Sequence, residues 1–168
     1  MRKLCRIFLI LSLVLPCVIH AGTPKTPPGK SDMVDIEADR LDVNTRNGTA
    51  IFKGKVTATK PDITLKGNTV TLLYDQKSRK VSQLIAEGNV YILWKDKEAT
   101  CSKVVYTLSN EVMVLTGDVV ITRGQERLAG QRVILDNKND TQVVEGAGSR
   151  VKVRVNAGES SGVMQWGK

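Results

Sequence analysis

LIAEGNVYILW, residues 84–94, decides the fold. Leu84, Ala86, Gly88, Val90, Ile92 and Trp94 recur at every second position, which places them on one face of an extended strand and on no single face of a helix. The same design repeats along the chain. An apolar pair split by one residue precedes a glycine four times: Leu41/Val43 before Gly54, Leu72/Tyr74 before Gly88, Val104/Tyr106 before Gly117 and Val133/Leu135 before Gly146. The spacing from the second apolar residue to the glycine is 11, 14, 11 and 11 residues. In the first three units a valine stands two residues beyond the glycine, as Val56, Val90 and Val119. A period near thirty made only of strand-like segments predicts stacked copies of one β unit.

Alternation extends outward from there. Val34, Ile36 and Ala38 open it, and Ala50, Phe52, Gly54, Val56 and Ala58 share a face opposite Lys53, Lys55, Thr57 and Thr59. Ile63 and Leu65 follow the turn at Pro61-Asp62, and Gly67-Asn68 kinks the chain before Val70, Leu72 and Tyr74. Beyond the DQKSRK loop (75–80) and the central strand, Lys95 to Lys97 reads as a turn. Met113, Leu115, Gly117, Val119 and Ile121 form the next clear face, and Arg150 to Val155 the last strand. With no helical periodicity and two- to six-residue polar connections, the chain reads as an all-β antiparallel meander of roughly a dozen short strands.

The ends read differently. Arg2, Lys3 and Arg6 precede an apolar run, Ile7 to Ile19, and the small residues Ala21 and Gly22, the form of a secretory signal peptide at 1–21. Residues 22–33, rich in Pro, Gly and Lys, read as a flexible linker, 34–155 as the β domain and 156–168 as a mobile tail containing Trp166. Cleavage would remove His20, the only histidine, with Cys5 and Cys17, leaving Cys101 as the sole thiol and a net charge of about +5. No imidazole base or His-bearing metal site is then possible, and no disulfide can form within one chain. The acids alternate with apolar residues on solvent faces or lie in turns, so no catalytic residue, metal or cofactor is expected.

The inward parity of Gly54, Gly88 and Gly117 admits two readings. Stacked glycines could leave a lengthwise track of reduced filling, or they could serve only to bend and twist the strands.

Asp35-Ile-Glu-Ala-Asp39, Phe52-Lys-Gly-Lys-Val56, Ala86-Glu-Gly-Asn-Val90 and Leu115-Thr-Gly-Asp-Val119 together resemble the OstA-like domain of the periplasmic lipopolysaccharide transport proteins of the A-component type. Gly146-Ala-Gly148 departs from the pattern by lacking the valine. The resemblance covers residues 34–155. It implies a twisted, V-shaped, open β-jellyroll whose apolar trough holds lipid A acyl chains, in a periplasmic bridge between the inner and outer membranes. Implied partners are lipopolysaccharide, homologous jellyroll domains of the inner-membrane transporter and outer-membrane translocon, and further copies of the chain. Nucleic acid is not among them.

Parity around the repeat glycines assigns the trough to Ile36, Phe52, Val56, Leu72, Ala86, Val90, Ile92, Leu115, Val119 and Ile121. The terminal strands carry opposite charge, Asp35, Glu37 and Asp39 against Arg150, Lys152 and Arg154, which suits head-to-tail pairing of copies or closure within one chain. A pI near 9.5 suits an anionic cargo, although basic solvated faces are common. A filled structural β-solenoid of adhesin type shares the repeat, and a secreted carbohydrate-active β-helix would require converging carboxylates.

Overall fold

The computed structural model describes residues 33–156. The expected signal peptide, nearly all of the linker and the tail beyond Asn156, with His20, Cys5, Cys17 and Trp166, lie outside the described residues.

Alternation of apolar and polar residues produces ten strands and no helix in the described region: β1 (Asp35–Glu37), β2 (Arg40–Asn44), β3 (Thr49–Lys60), β4 (Ile63–Tyr74), β5 (Val81–Trp94), β6 (Lys97–Thr107), β7 (Val112–Arg123), β8 (Glu126–Asp136), β9 (Thr141–Glu145) and β10 (Lys152–Arg154). Where a dozen short strands are expected, six of the ten run 11 to 14 residues. The long strands form an antiparallel meander from β3 to β8. β1 and β2 both pair with β3 at one end, and β9 and β10 both pair with β8 at the other. The sheet is open. β1 and β10 lie at opposite ends of the strand order, so closure within one chain is ruled out.

The ladder between each pair of neighbouring long strands is broken near its middle, and the breaks lie side by side. Register slips between Lys53 and Val56, Lys66 and Thr69, Glu87 and Val90, Thr100 and Lys103, and Thr116 and Val119. β3, β5 and β7 carry the extra residue at Gly54, Gly88 and Gly117. This line of bulges divides the sheet into two leaves of eight strand segments each. The first leaf runs from β2 through the Thr49–Lys53 half of β3 to β9, and the second from β1 through the Val56–Lys60 half to β10.

The glycines do not open an interior track. Gly88 and Gly117 have φ of +78° and +81°, and the next residues, Asn89 and Asp118, are also left-handed. A side chain at Gly88 would meet that of Asn68, and one at Gly117 that of Ser102; both neighbours are solvent-exposed residues at the bend of the adjacent strand. Their role is the fold between leaves, where an L side chain is costly.

Apolar residues from both leaves form one interior cluster. Its two main ladder rows span the full sheet. In the first leaf the row runs Leu41, Phe52, Val70, Ala86, Val104, Leu115, Val133, Val144. In the second it runs Ile36, Ala58, Leu65, Ile92, Ala99, Ile121, Leu128, Val153. Every residue in both rows is apolar, so each leaf presents an unbroken apolar inner wall.

Candidate functional site

The interior is closed at its centre and accessible at its margins. Ala86, Leu115, Val119, Ile121 and Val133 are fully buried, whereas Phe52, Tyr74, Val81, Leu84 and Met113 are only partly covered and pack against the cluster. At the open sheet ends the inner wall meets solvent, with Leu41, Val43 and Val153 each at least half exposed. Those residues sit opposite Phe52, Ala50 and Leu128, so their exposure results from a missing neighbouring strand.

Of the ten residues assigned to the trough, Val56, Leu72, Ala86, Val90, Ile92, Leu115, Val119 and Ile121 lie in the buried cluster, and Ile36 and Phe52 pack against it. Two left-out groups belong with them. The first comprises Tyr74, Val81, Leu84, Tyr106 and Met113 on the free margin of the first leaf. The second is a charged margin on the other leaf. Lys97, expected in a turn, begins β6 with its residue only 8% exposed, and Glu126 begins β8 at 6%. Counting back by two from Ala99 and Leu128 reaches both, so strict alternation carried the signal.

Trp94 stands opposite Lys97, whose ammonium lies 5.6 Å from the indole centroid. Glu126 stands opposite Arg123 and accepts hydrogen bonds from Nε at 3.1 Å and Nη2 at 2.8 Å through one carboxylate oxygen. Burial pulls the Lys97 pKa below its ordinary value, aided by the positive neighbours Arg123 and Lys95 and opposed by Asp96.

Of the six charged edge residues, Asp35 and Glu37 lie on β1 and Lys152 and Arg154 on β10. Their inward neighbours Ile36 and Val153 fix all four side chains on the outer face. Asp39 and Arg150 lie off the strands, and the Asp39 side chain sits against Gly54 at the fold line.

Cys101 is buried on the inner wall, and burial pushes its thiol up to about 11. Its pKa in the unfolded chain is lower, near 9.0. Below that value neither state ionises and the thiol makes no pH-dependent contribution. Between pH 9 and 11 only the unfolded chain releases the proton, so stability falls as pH rises. Relative to Cys101→Ala, the native protein should lose about 2 kcal/mol over that window in urea titrations. At neutral pH a thiol reagent should label it only at the rate of opening.

The fold and interior thus define a class: an open, two-leaf antiparallel jellyroll with a continuous apolar inner wall and, among the described residues, two unpaired ends. Residues 35–141 match the family described as "LptA/(LptD N-terminal domain) LPS transport protein". The chain belongs to this lipopolysaccharide transport family. An uncharacterized protein of Rhizobium meliloti (strain 1021) is 22% identical over 130 residues, which cover 73% of this chain and 70% of that one. The crystal structure of LptH, the LptA-homologous periplasmic component of the lipopolysaccharide transport device of Pseudomonas aeruginosa, superimposes with a TM-score of 0.65 at 19% identity. It covers 77% of this chain and 99% of the other. That likeness concerns the fold, and its open jellyroll is the one found here.

Proposed function

We propose that this chain is a periplasmic bridge protein that binds lipopolysaccharide by its acyl chains in the apolar interior and passes it from the inner to the outer membrane. The observation that carries this reading is the pair of unbroken apolar ladder rows reaching both open ends of the sheet. Acyl chains require a continuous apolar wall, and partly covered residues such as Phe52, Leu84 and Met113 give them a place to enter without disrupting the closed centre. A filled adhesin-like solenoid would have no use for such margins.

Adjacent residues on β3 provide the test. A photo-crosslinker at Phe52, which faces inward, should capture lipopolysaccharide, and one at Lys53, which faces out, should not. Equal capture at the two positions would refute the assignment of the interior as the lipid site.

The same reading includes head-to-tail assembly of copies or of homologous jellyroll domains. Each leaf holds an even number of strand segments, so the last segment of one copy runs antiparallel to the first of the next. Docking along the existing ladder levels would set Val153 beside the next copy's Ile36, and Val144 beside its Leu41, which continues both inner rows.

A further inference from the structure

We propose that residues 162–166, Gly-Val-Met-Gln-Trp, dock as an added antiparallel strand on the outer edge of β10 and cover the end of the second leaf that a further copy would otherwise occupy. The docking stands on the edge itself; only its effect on assembly rests on the head-to-tail reading.

β10 pairs with β8 on one side, and among the described residues no strand pairs with its other side. Val153 continues the inner row beyond Leu128, and Val151 and Val155 share its parity. All three are exposed, Val151 at 38%, Val153 at 50% and Val155 at 47%. An edge that combines apolar side chains with open backbone groups takes up any extended segment that fits it.

The nearest such segment is the chain's own continuation. Asn156 lies two residues beyond β10, and twelve residues follow it to Lys168. Asn156 to Ser161 (NAGESS) has the composition of a turn, whereas Val163, Met164 and Trp166 are the large apolar residues of the stretch. Pairing Val155 with Gly162 closes a six-residue loop and sets Met164 opposite Val153 and Trp166 opposite Val151. Met164 and Trp166 would then face inward and extend the inner row, with Val163 and Gln165 outward beside Arg154 and Lys152. A slip of one residue would turn both to solvent, so the parity fixes the register. A tether this short holds the segment at an effective concentration on the order of millimolar, above that of a second copy in dilute solution.

The two occupants of the edge differ in charge. β1 of a further copy would bring Asp35 and Glu37 to Arg154 and Lys152, and the chain's own segment would bring Val163 and Gln165. The segment is thus a tethered, uncharged competitor that a charge-complementary strand displaces, which screens the edge against strands lacking the acids.

Disulfides test the docking in the chain without residues 1–21 and with Cys101→Ala. Opposed residues of antiparallel neighbours stand about 4.5–5.5 Å apart between Cα atoms, within disulfide reach. Val153→Cys with Met164→Cys should oxidise to a crosslink within one chain in dilute solution, and Val153→Cys with Val163→Cys should not. Equal crosslinking of the two pairs, or none in the first, would overturn the strand. A crosslink of dimer mass would overturn docking within the chain and give the edge to a second copy. Removal of residues 157–168, or Met164→Asp with Trp166→Asp, should lower the concentration at which copies assemble in light scattering by about tenfold. Unchanged or weaker assembly of the shortened chain would overturn the competition. An intrachain crosslink in a protein that forms no assemblies, with or without the segment, would uphold the docking and refute the head-to-tail reading instead.

Discussion

Gly117→Val is expected to lower the folding stability of this protein by about 2–5 kcal/mol and to abolish cargo binding only in step with unfolding. Two costs combine. The backbone at Gly117 has φ of +81°, where an L residue loses about 1–2 kcal/mol. A Cβ there would lie 2.5 Å from Ser102 Oγ and 2.6 Å from Ser102 Cβ, an overlap that adds about 1–3 kcal/mol. Gly88→Val should behave alike against Asn68, whose Cβ would lie 3.0 Å away. Thermal unfolding should drop by about 10 °C or more. Adding Ser102→Gly should restore the part due to overlap and leave the part due to the left-handed backbone. A Gly117→Val protein that melts normally but fails to bind lipid would mean that the glycine holds open a lipid path and does not set the bend.

Reversing Lys152 and Arg154 to glutamate is expected to weaken association of copies by roughly thirtyfold, and adding Asp35→Lys with Glu37→Lys should restore it. The register specifies the contacts. Glu37 and Lys152 stand at one ladder level, reached through Thr57, Lys66, Tyr91, Thr100, Val120 and Ala129. A next copy docked without a register slip would therefore place its Glu37 against Lys152 and its Asp35 against Arg154. The first leaf adds a contact of its own. Glu145 and Arg40 also share one level across the sheet, so Glu145 would meet the next copy's Arg40. Each outer pair would contribute only about 0.2–1 kcal/mol, so charge would select register and partner, while backbone hydrogen bonds and the continued apolar rows would supply affinity. Light scattering against concentration measures the effect, since a heterologous contact that does not close yields assemblies that lengthen with concentration. Unchanged assembly after reversal would exclude β1 and β10 as the junction. Reversal at Glu145 alone should have a smaller effect, because Arg132 already holds that carboxylate at 3.1 Å.

Much of this architecture was legible in the chain because a strand's side-chain period is two. Leu84 to Trp94 declares its inner face without reference to any other residue, and the repeat of apolar pair, glycine and valine announces stacked units. The inward placement of Ile36, Phe52, Leu115 and the other interior residues follows from the same count. The opposite charges of the two terminal strands are likewise a property of sequence alone.

Tertiary structure decided what depends on neighbouring strands. Gly54, Gly88 and Gly117 have the parity of the inner face, yet their left-handed backbone and the side chains of Asp39, Asn68 and Ser102 beside them assign them to the fold line. β4, β6 and β8 cross that line with no extra residue, so their inward set changes parity, from Leu65 to Val70, Cys101 to Val104 and Gly130 to Val133. A period of two read along one strand cannot carry across such a switch. Lys97 reads as the end of the Lys95–Lys97 turn because charge suggests solvent, although counting back by two from Ala99 puts it on the inner face; the register of β6 against β5 then sets it beside Trp94 on the inner margin, and that of β8 against β7 sets Glu126 beside Arg123. Leu41, Val43 and Val153 have core parity but lie exposed because the sheet stops beside them, a fact fixed by strand order and invisible in local pattern.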